Sequence, residues 1–147
     1  MSFSRGTITT FVMPDMQNGL GDLFGGHLMA LVDQAAAVAA IRHAGCQAVT
    51  ASIHRVDFRE SIPVGALVTC EAAVDYVGNS SMDISVEVYS EDIRSGLKRH
   101  THHAKVVFVA IDDARRPTRV PRLVAETDEE KVRYAAAEAY RAERGRQ

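Results

Sequence analysis

Apolar and polar positions alternate along five stretches of this chain and switch to a helical period in two others. Thr7-Ile8-Thr9-Thr10-Phe11-Val12-Met13 is rich in β-branched residues and stops at Pro14, which predicts a first strand. Val49 to Phe58 predicts a second. From Ala66 to Val77 the pattern puts Val68, Cys70, Ala72, Val74 and Tyr76 on one face of a third. Gly78-Asn79-Ser80-Ser81 then predicts a tight hairpin, and Met82, Ile84, Val86 and Val88 carry the apolar face onto the returning strand. Arg94-Ser95-Gly96 is a second turn, followed by a long last strand from Lys98 to Ile111.

The two helical stretches differ in kind. A helix is predicted from about Gly26 to Ala44, closed by Arg42, His43 and a Gly45 stop, and the apolar residues from Leu28 to Ala40 cover its whole circumference, which predicts a buried helix. Glu126 to Arg144 predicts a separate tail helix. Thr127 and Glu130 form its capping box, and a weak stripe of Val132, Ala136, Ala139 and Tyr140 suggests docking on a surface or a neighbouring subunit. The expected order is strand, long buried helix, four antiparallel strands and tail helix, an α+β chain divided at 1–122 and 123–147. A five-stranded sheet wrapping so apolar a helix leaves edges open, and self-association is the simplest way to cover them.

One residue breaks the pattern of the central helix. Asp33 has Met29, Ala30, Ala36 and Ala37 as its helical neighbours, all apolar. A buried carboxylate without a partner costs on the order of several kcal/mol, so it is either paired, for instance with an arginine, or has a job. Asp33 follows Gly26 by two turns on nearly the same face, roughly 10 Å along the axis. The free N–H groups near Gly25, Gly26 and His27 carry the positive end of the helix dipole and would polarise an acyl carbonyl. Asp33 would then attack that carbonyl or activate a water.

Composition narrows the classes. At 147 residues, 46% hydrophobic and 24% charged, the chain reads as one soluble domain. A net charge of −2 argues against a general nucleic-acid binder. The absence of a hydrophobic leader or membrane-length run suggests a cytoplasmic protein. Cys46 and Cys70 make no metal or redox motif. His100 and His102 are expected on one face of the last strand and His103 on the other, with no acidic partner, so no metal is expected.

Asn18-x-x-Gly21-Asp22-x-Phe24-Gly25-Gly26-x-x-Met29-x-x-x-Asp33 resembles the hotdog-fold acyl-CoA thioesterases of the YciA-like and brain acyl-CoA hydrolase group. Val49-Thr50, Phe58-x-x-x-Ile62-Pro63-Val64-Gly65 and Gly78-x-Ser80-Ser81-Met82 extend the likeness over residues 7–120. The resemblance implies a hotdog fold, a helix lying in a curled antiparallel sheet, with a homodimer as minimal unit and a trimer of dimers as the assembly. It implies hydrolysis of acyl-CoA to CoA and a carboxylic acid, without metal or cofactor. Asp33 takes the catalytic position and Asn18 that of the second polar group. Gly25 or Gly26 supplies the polarising amide, and the site lies between subunits. The hairpin Gly78-Asn79-Ser80-Ser81 matches the segment that contacts CoA, while Phe24 and His27 flank the substrate. Arg115, Arg116, Arg119 and Arg122 either meet CoA phosphates or form a solvated face. The alternatives on this fold are a hydratase or dehydratase, with His27 as the only nearby histidine, and a non-catalytic acyl-CoA-binding protein.

Overall fold

The computed structural model describes residues 4–145. Five strands form one antiparallel sheet: β1 (Arg5–Phe11), β2 (Ala48–Phe58), β3 (Leu67–Val77), β4 (Ser81–Asp92) and β5 (Leu97–Ala110), in the order β1-β3-β4-β5-β2. The helix α1 (Gly25–Ala44) lies across one face and touches every strand. Leu28, Val32, Ala35, Ala36, Ala39 and Ala40 are its buried side, and the alanines let the helix sit close to the sheet. Gly6 on β1 is part of this fit, because a Cβ there would come within 2.8 Å of the Ala35 carbonyl and of Val38. Gly45 ends the helix in the left-handed conformation, its N–H bonded to the Ile41 carbonyl. The hotdog arrangement expected from the sequence is present.

The helix is not buried all round, however. Ala30, Gln34 and Ile41 are exposed, and Met29, Asp33 and Ala37 half-buried. A single sheet covers only one side of a helix. The exposed strip runs beside β2, an edge strand that itself exposes Val49, Ile53, Val56 and Phe58. Open apolar strand and open helix strip together form one uncovered band.

Two β-bulges overturn expectations drawn from strict alternation. In β5, Val88 pairs with His102 but Tyr89 pairs with His100, so Thr101 is an extra residue. His102 consequently turns into the core, while His100 and His103 share the outer face and both bond Glu87, at 2.5 Å each. The acidic partner not visible in the sequence pattern is Glu87, supplied across the strands. Among the described residues, no group of three His, Cys, Asp or Glu is arranged to hold a metal. In β3 a bulge between Val74 and Tyr76 turns Tyr76 away from the core face. Tyr76 packs instead against Tyr134 of α2 (Asp128–Gly145), with ring centroids 4.9 Å apart.

The tail helix docks on the outer face of the sheet, but of the stripe that its sequence suggests only Tyr140 takes part. Val132, Ala136 and Ala139 are exposed; Glu130, Arg133, Tyr134, Ala137 and Tyr140 face inward. The anchor is ionic: Arg133 Nε stands 3.0 Å from a carboxylate oxygen of Asp75, which is 6% exposed. Burial pushes the Asp75 carboxyl up, against the hydrogen bond from Ser85 and the charge of Arg133. The capping box is as expected, with Glu130 accepting from the Thr127 N–H at 3.0 Å and Thr127 Oγ1 from the Glu130 N–H at 3.1 Å.

Glu87 gives the fold a pH dependence. Burial favours its protonated form, but hydrogen bonds and charges from His103 and then His100 outweigh this and hold its carboxyl below the ordinary value of 4.5. A depressed carboxylate stabilises the fold above its unfolded value, and the contribution fades as pH drops through the folded one. Urea midpoints measured from about pH 7 down to about pH 3 should therefore fall more for the natural chain than for Glu87→Gln.

Candidate active site

The loop between β1 and α1 is built to present the helix start. Gly19 and Gly21 adopt φ of 90° and 84°, which side chains other than glycine disfavour. Asn18 organises the turn between them: its Oδ1 accepts from the Leu20 N–H at 2.8 Å and, more weakly, from the Asp22 N–H at 3.4 Å. The Leu23 N–H bonds the Ile62 carbonyl at 2.7 Å and the Val64 N–H bonds the Gly21 carbonyl at 2.9 Å. The Pro63-Val64-Gly65 segment is thus the clamp that fixes where α1 begins.

The helix begins uncapped. Phe24 occupies the N-cap and has no side-chain acceptor, and the first turn contains no acidic residue. The first intrahelical bond is made by the Leu28 N–H to the Phe24 carbonyl, leaving the Gly25, Gly26 and His27 amides without helical partners. The two glycines differ. A Cβ on Gly25 would meet nothing within 4 Å, whereas one on Gly26 would strike the Phe24 ring at 2.5 Å. Gly25 lines a cavity of about 290 Å³ together with Asn18, Met29, Phe58, Ile62 and His102. His27 is exposed and meets Phe24 edge-on, with centroids 6.5 Å apart.

Asp33 lies further along α1, about 12 Å from Gly25 by helical rise, and does not line this cavity. Its partner is Thr50 on β2, whose hydroxyl donates to Asp33 Oδ1 at 2.6 Å. The arginine alternative is therefore set aside among the described residues. Thr50 pairs with Phe108, and Phe108 with Met82 beside the 78–81 hairpin. Asp33 therefore belongs to the hairpin end of the sheet. Asn18 and Gly25 belong to the other end, where β1 runs out beside Leu67.

The hairpin is packed rather than open. Arg122 donates to the Gly78 carbonyl at 2.5 Å, and Arg141 to Ser81 Oγ. The Ala110 and Val120 amides bond the Ser80 and Asn79 carbonyls, each at 2.9 Å. All four of Arg115, Arg116, Arg119 and Arg122 are exposed, and of these, among the described residues, it is Arg122 that bonds the hairpin. Cys70 is buried, which pushes its thiol up to about 12 and makes it a core residue. Two residues already named from the sequence were not expected at the site. Thr50 is a polar residue on a strand, with nothing local to tie it to Asp33. His102 depends on a bulge that alternation cannot show.

The profile of the thioesterase superfamily matches residues 20–97. The chain belongs to this superfamily. The thioesterase is 39% identical over 122 residues to the acyl-CoA thioester hydrolase YkhA of Bacillus subtilis, an alignment covering 83% of this chain and 71% of that protein. Its structure is similar to that of an apo-hexameric acyl-CoA thioesterase, with a TM-score of 0.94 and 36% identity, covering 99% of this chain and 93% of the other. An acyl-CoA hydrolase of Staphylococcus aureus, solved with butyryl-CoA, CoA and CoA disulfide, gives a TM-score of 0.91 at 36% identity and covers 99% and 88%. That enzyme has also been solved with an asparagine, an aspartate or a threonine changed to alanine, and those three are spaced as Asn18, Asp33 and Thr50 are here.

Proposed function

We propose that this thioesterase hydrolyses acyl-CoA to CoA and a carboxylic acid at sites that two subunits build together, with Asp33, Asn18 and the amides at the start of α1 as its working groups. The observation that carries this reading is a pair of features. An uncapped helix start opens on a cavity, and a carboxylate further along the same helix is held from the far side by a single hydroxyl.

Reacting groups must approach to about 3 Å, and about 12 Å separates Gly25 from Asp33 within one chain. A two-fold partner added along the β2 edge would cover the exposed band and run its own α1 antiparallel to the first. The Asp33 end of one helix would then face the Gly25 end of the other. Asn18 and Asp33 of each working site thus come from different subunits, and the β2 edges join into one continuous sheet. Further association of dimers into a trimer agrees with the hexameric form of the similar structure.

In this site the thioester carbonyl oxygen accepts from the Gly25 or Gly26 amide, where negative charge develops as the carbonyl carbon becomes tetrahedral. Asn18 orients the thioester or the water. Asp33, with Oδ1 engaged by Thr50, uses its other oxygen. Taking a proton from water is one route, ending with the proton on the departing CoA sulfur. Forming a mixed anhydride that water then opens is the other. A single turnover in oxygen-18 water tests the second route, since label in Asp33 requires an anhydride opened by water at the Asp33 carboxyl carbon.

The hairpin Gly78-Asn79-Ser80-Ser81, with Arg122 beside it, lies at the Asp33 end and receives the CoA moiety. Phe24 and His27 border the acyl entrance. The chemistry draws only on water and the chain's own groups, without metal or cofactor. No helix of the described residues is long and apolar enough to cross a membrane, and two free thiols fit a reducing cytoplasm.

Thr50→Val keeps the shape of the side chain and removes the bond to Asp33. It should lower kcat for thiol release about tenfold or more with little change in the melting temperature. An unchanged kcat would remove Thr50 from the site.

A further inference from the structure

His102 is the one buried polar side chain in the wall of the cavity at the helix start, and the bulge at Thr101 is what places it there. It is 2% exposed, among apolar neighbours that include Leu28, Met29, Val56, Phe58 and Ile62. Its protonation pattern can be read from its neighbours. Thr101 Oγ1 donates its only proton to the Val88 carbonyl at 3.3 Å. The same oxygen lies 2.9 Å from His102 Nδ1, and we assign the hydrogen to Nδ1, the tautomer that lets this oxygen accept there while it donates to Val88. Burial, reinforced by the charge of His100, holds the imidazole below its ordinary value and keeps it neutral. Nε2 is then a bare lone pair, buried and with no hydrogen-bond partner among the described residues. The Phe58 ring packs edge-on against the imidazole, 4.9 Å between centroids, and lines the same cavity.

A buried acceptor in an apolar cavity is costly unless a donor reaches it. An unsubstituted acyl chain supplies none, and a keto oxygen would set acceptor against acceptor. A hydroxyl supplies a donor.

We propose that His102 Nε2 accepts a hydrogen bond from a hydroxyl on the acyl chain, making hydroxyacyl-CoA thioesters the preferred substrates of this enzyme. The proposal rests on the acyl-CoA hydrolase reading above. His102 is a specificity-determining residue in it and takes no part in bond breaking.

The test compares kcat/KM for hexanoyl-CoA with that for hexanoyl-CoA hydroxylated at each chain position in turn, using the full chain and following thiol release. At least one hydroxylated chain should be preferred by about tenfold or more. The ratio should fall to about one in His102→Phe, which keeps a flat ring and loses the acceptor. It should also drop in Thr101→Val, which frees the imidazole to carry its hydrogen on Nε2. If His102→Phe does not fold, the Thr101→Val ratio decides. Hydrolysis of hexanoyl-CoA with no preference for any hydroxylated chain would overturn the proposal, as would a preference that survives in the variants. A water molecule satisfying Nε2 in place of substrate would give that first result. No thiol release from any acyl-CoA would instead overturn the hydrolase reading beneath it.

Discussion

Asp33→Ala and Asp33→Asn are each expected to lower kcat for acyl-CoA hydrolysis by about a thousandfold or more, while the proteins still fold and still bind acyl-CoA. Both substitutions remove the group that takes a proton or attacks carbon. Neither touches the amides at Gly25 and Gly26 or the cavity beside them. Asn in particular keeps an oxygen for the Thr50 hydroxyl, so that β2 and α1 stay joined. Calorimetric binding of a slowly turned-over acyl-CoA should therefore change little, and the melting temperature should fall by no more than a few degrees. Near-natural turnover in either variant would show that Asp33 only fastens the helix to the edge strand.

Mixing two dead enzymes should restore a live one. Asn18→Ala and Asp33→Ala, purified separately, are both expected to be nearly inactive. Co-expressed with different affinity tags and isolated as mixed oligomers, they should recover about a quarter to a half of natural turnover. In a mixed dimer one site collects both substitutions, and the other collects neither. The expectation follows from the placement of Asn18 and Gly25 at one end of the sheet and Asp33 with Thr50 at the other. If each chain carried a complete site, every site in the mixture would hold a lesion and no activity would return.

Much of this was legible in the chain itself. The five strands, the α1 helix with its Gly45 stop and the Thr127–Glu130 capping box follow from period, turn residues and caps, all of them local signals. Asp33 and the glycines before it were visible because a carboxylate among alanines conflicts with its surroundings. Hidden from the sequence were features that a single residue in the wrong phase creates. Thr101 shifts the register of β5, which sends His102 inward and lets His100 meet Glu87 beside His103. The bulge before Tyr76 likewise exchanges faces and leads α2 to dock through Arg133 and Tyr134 rather than Val132. The Asp33–Thr50 bond joins residues on different elements, and only the folded sheet brings them together.

The most direct measurement is a crystal structure of the Asp33→Asn protein with a bound acyl-CoA. The expected result is a thioester carbonyl oxygen about 3 Å from the Gly25 or Gly26 amide of one subunit, with Asn18 of that subunit and residue 33 of its neighbour on either side of the carbonyl carbon. A carbonyl directed away from the start of α1, or a site in which residues 18 and 33 of the same chain converge, would contradict it.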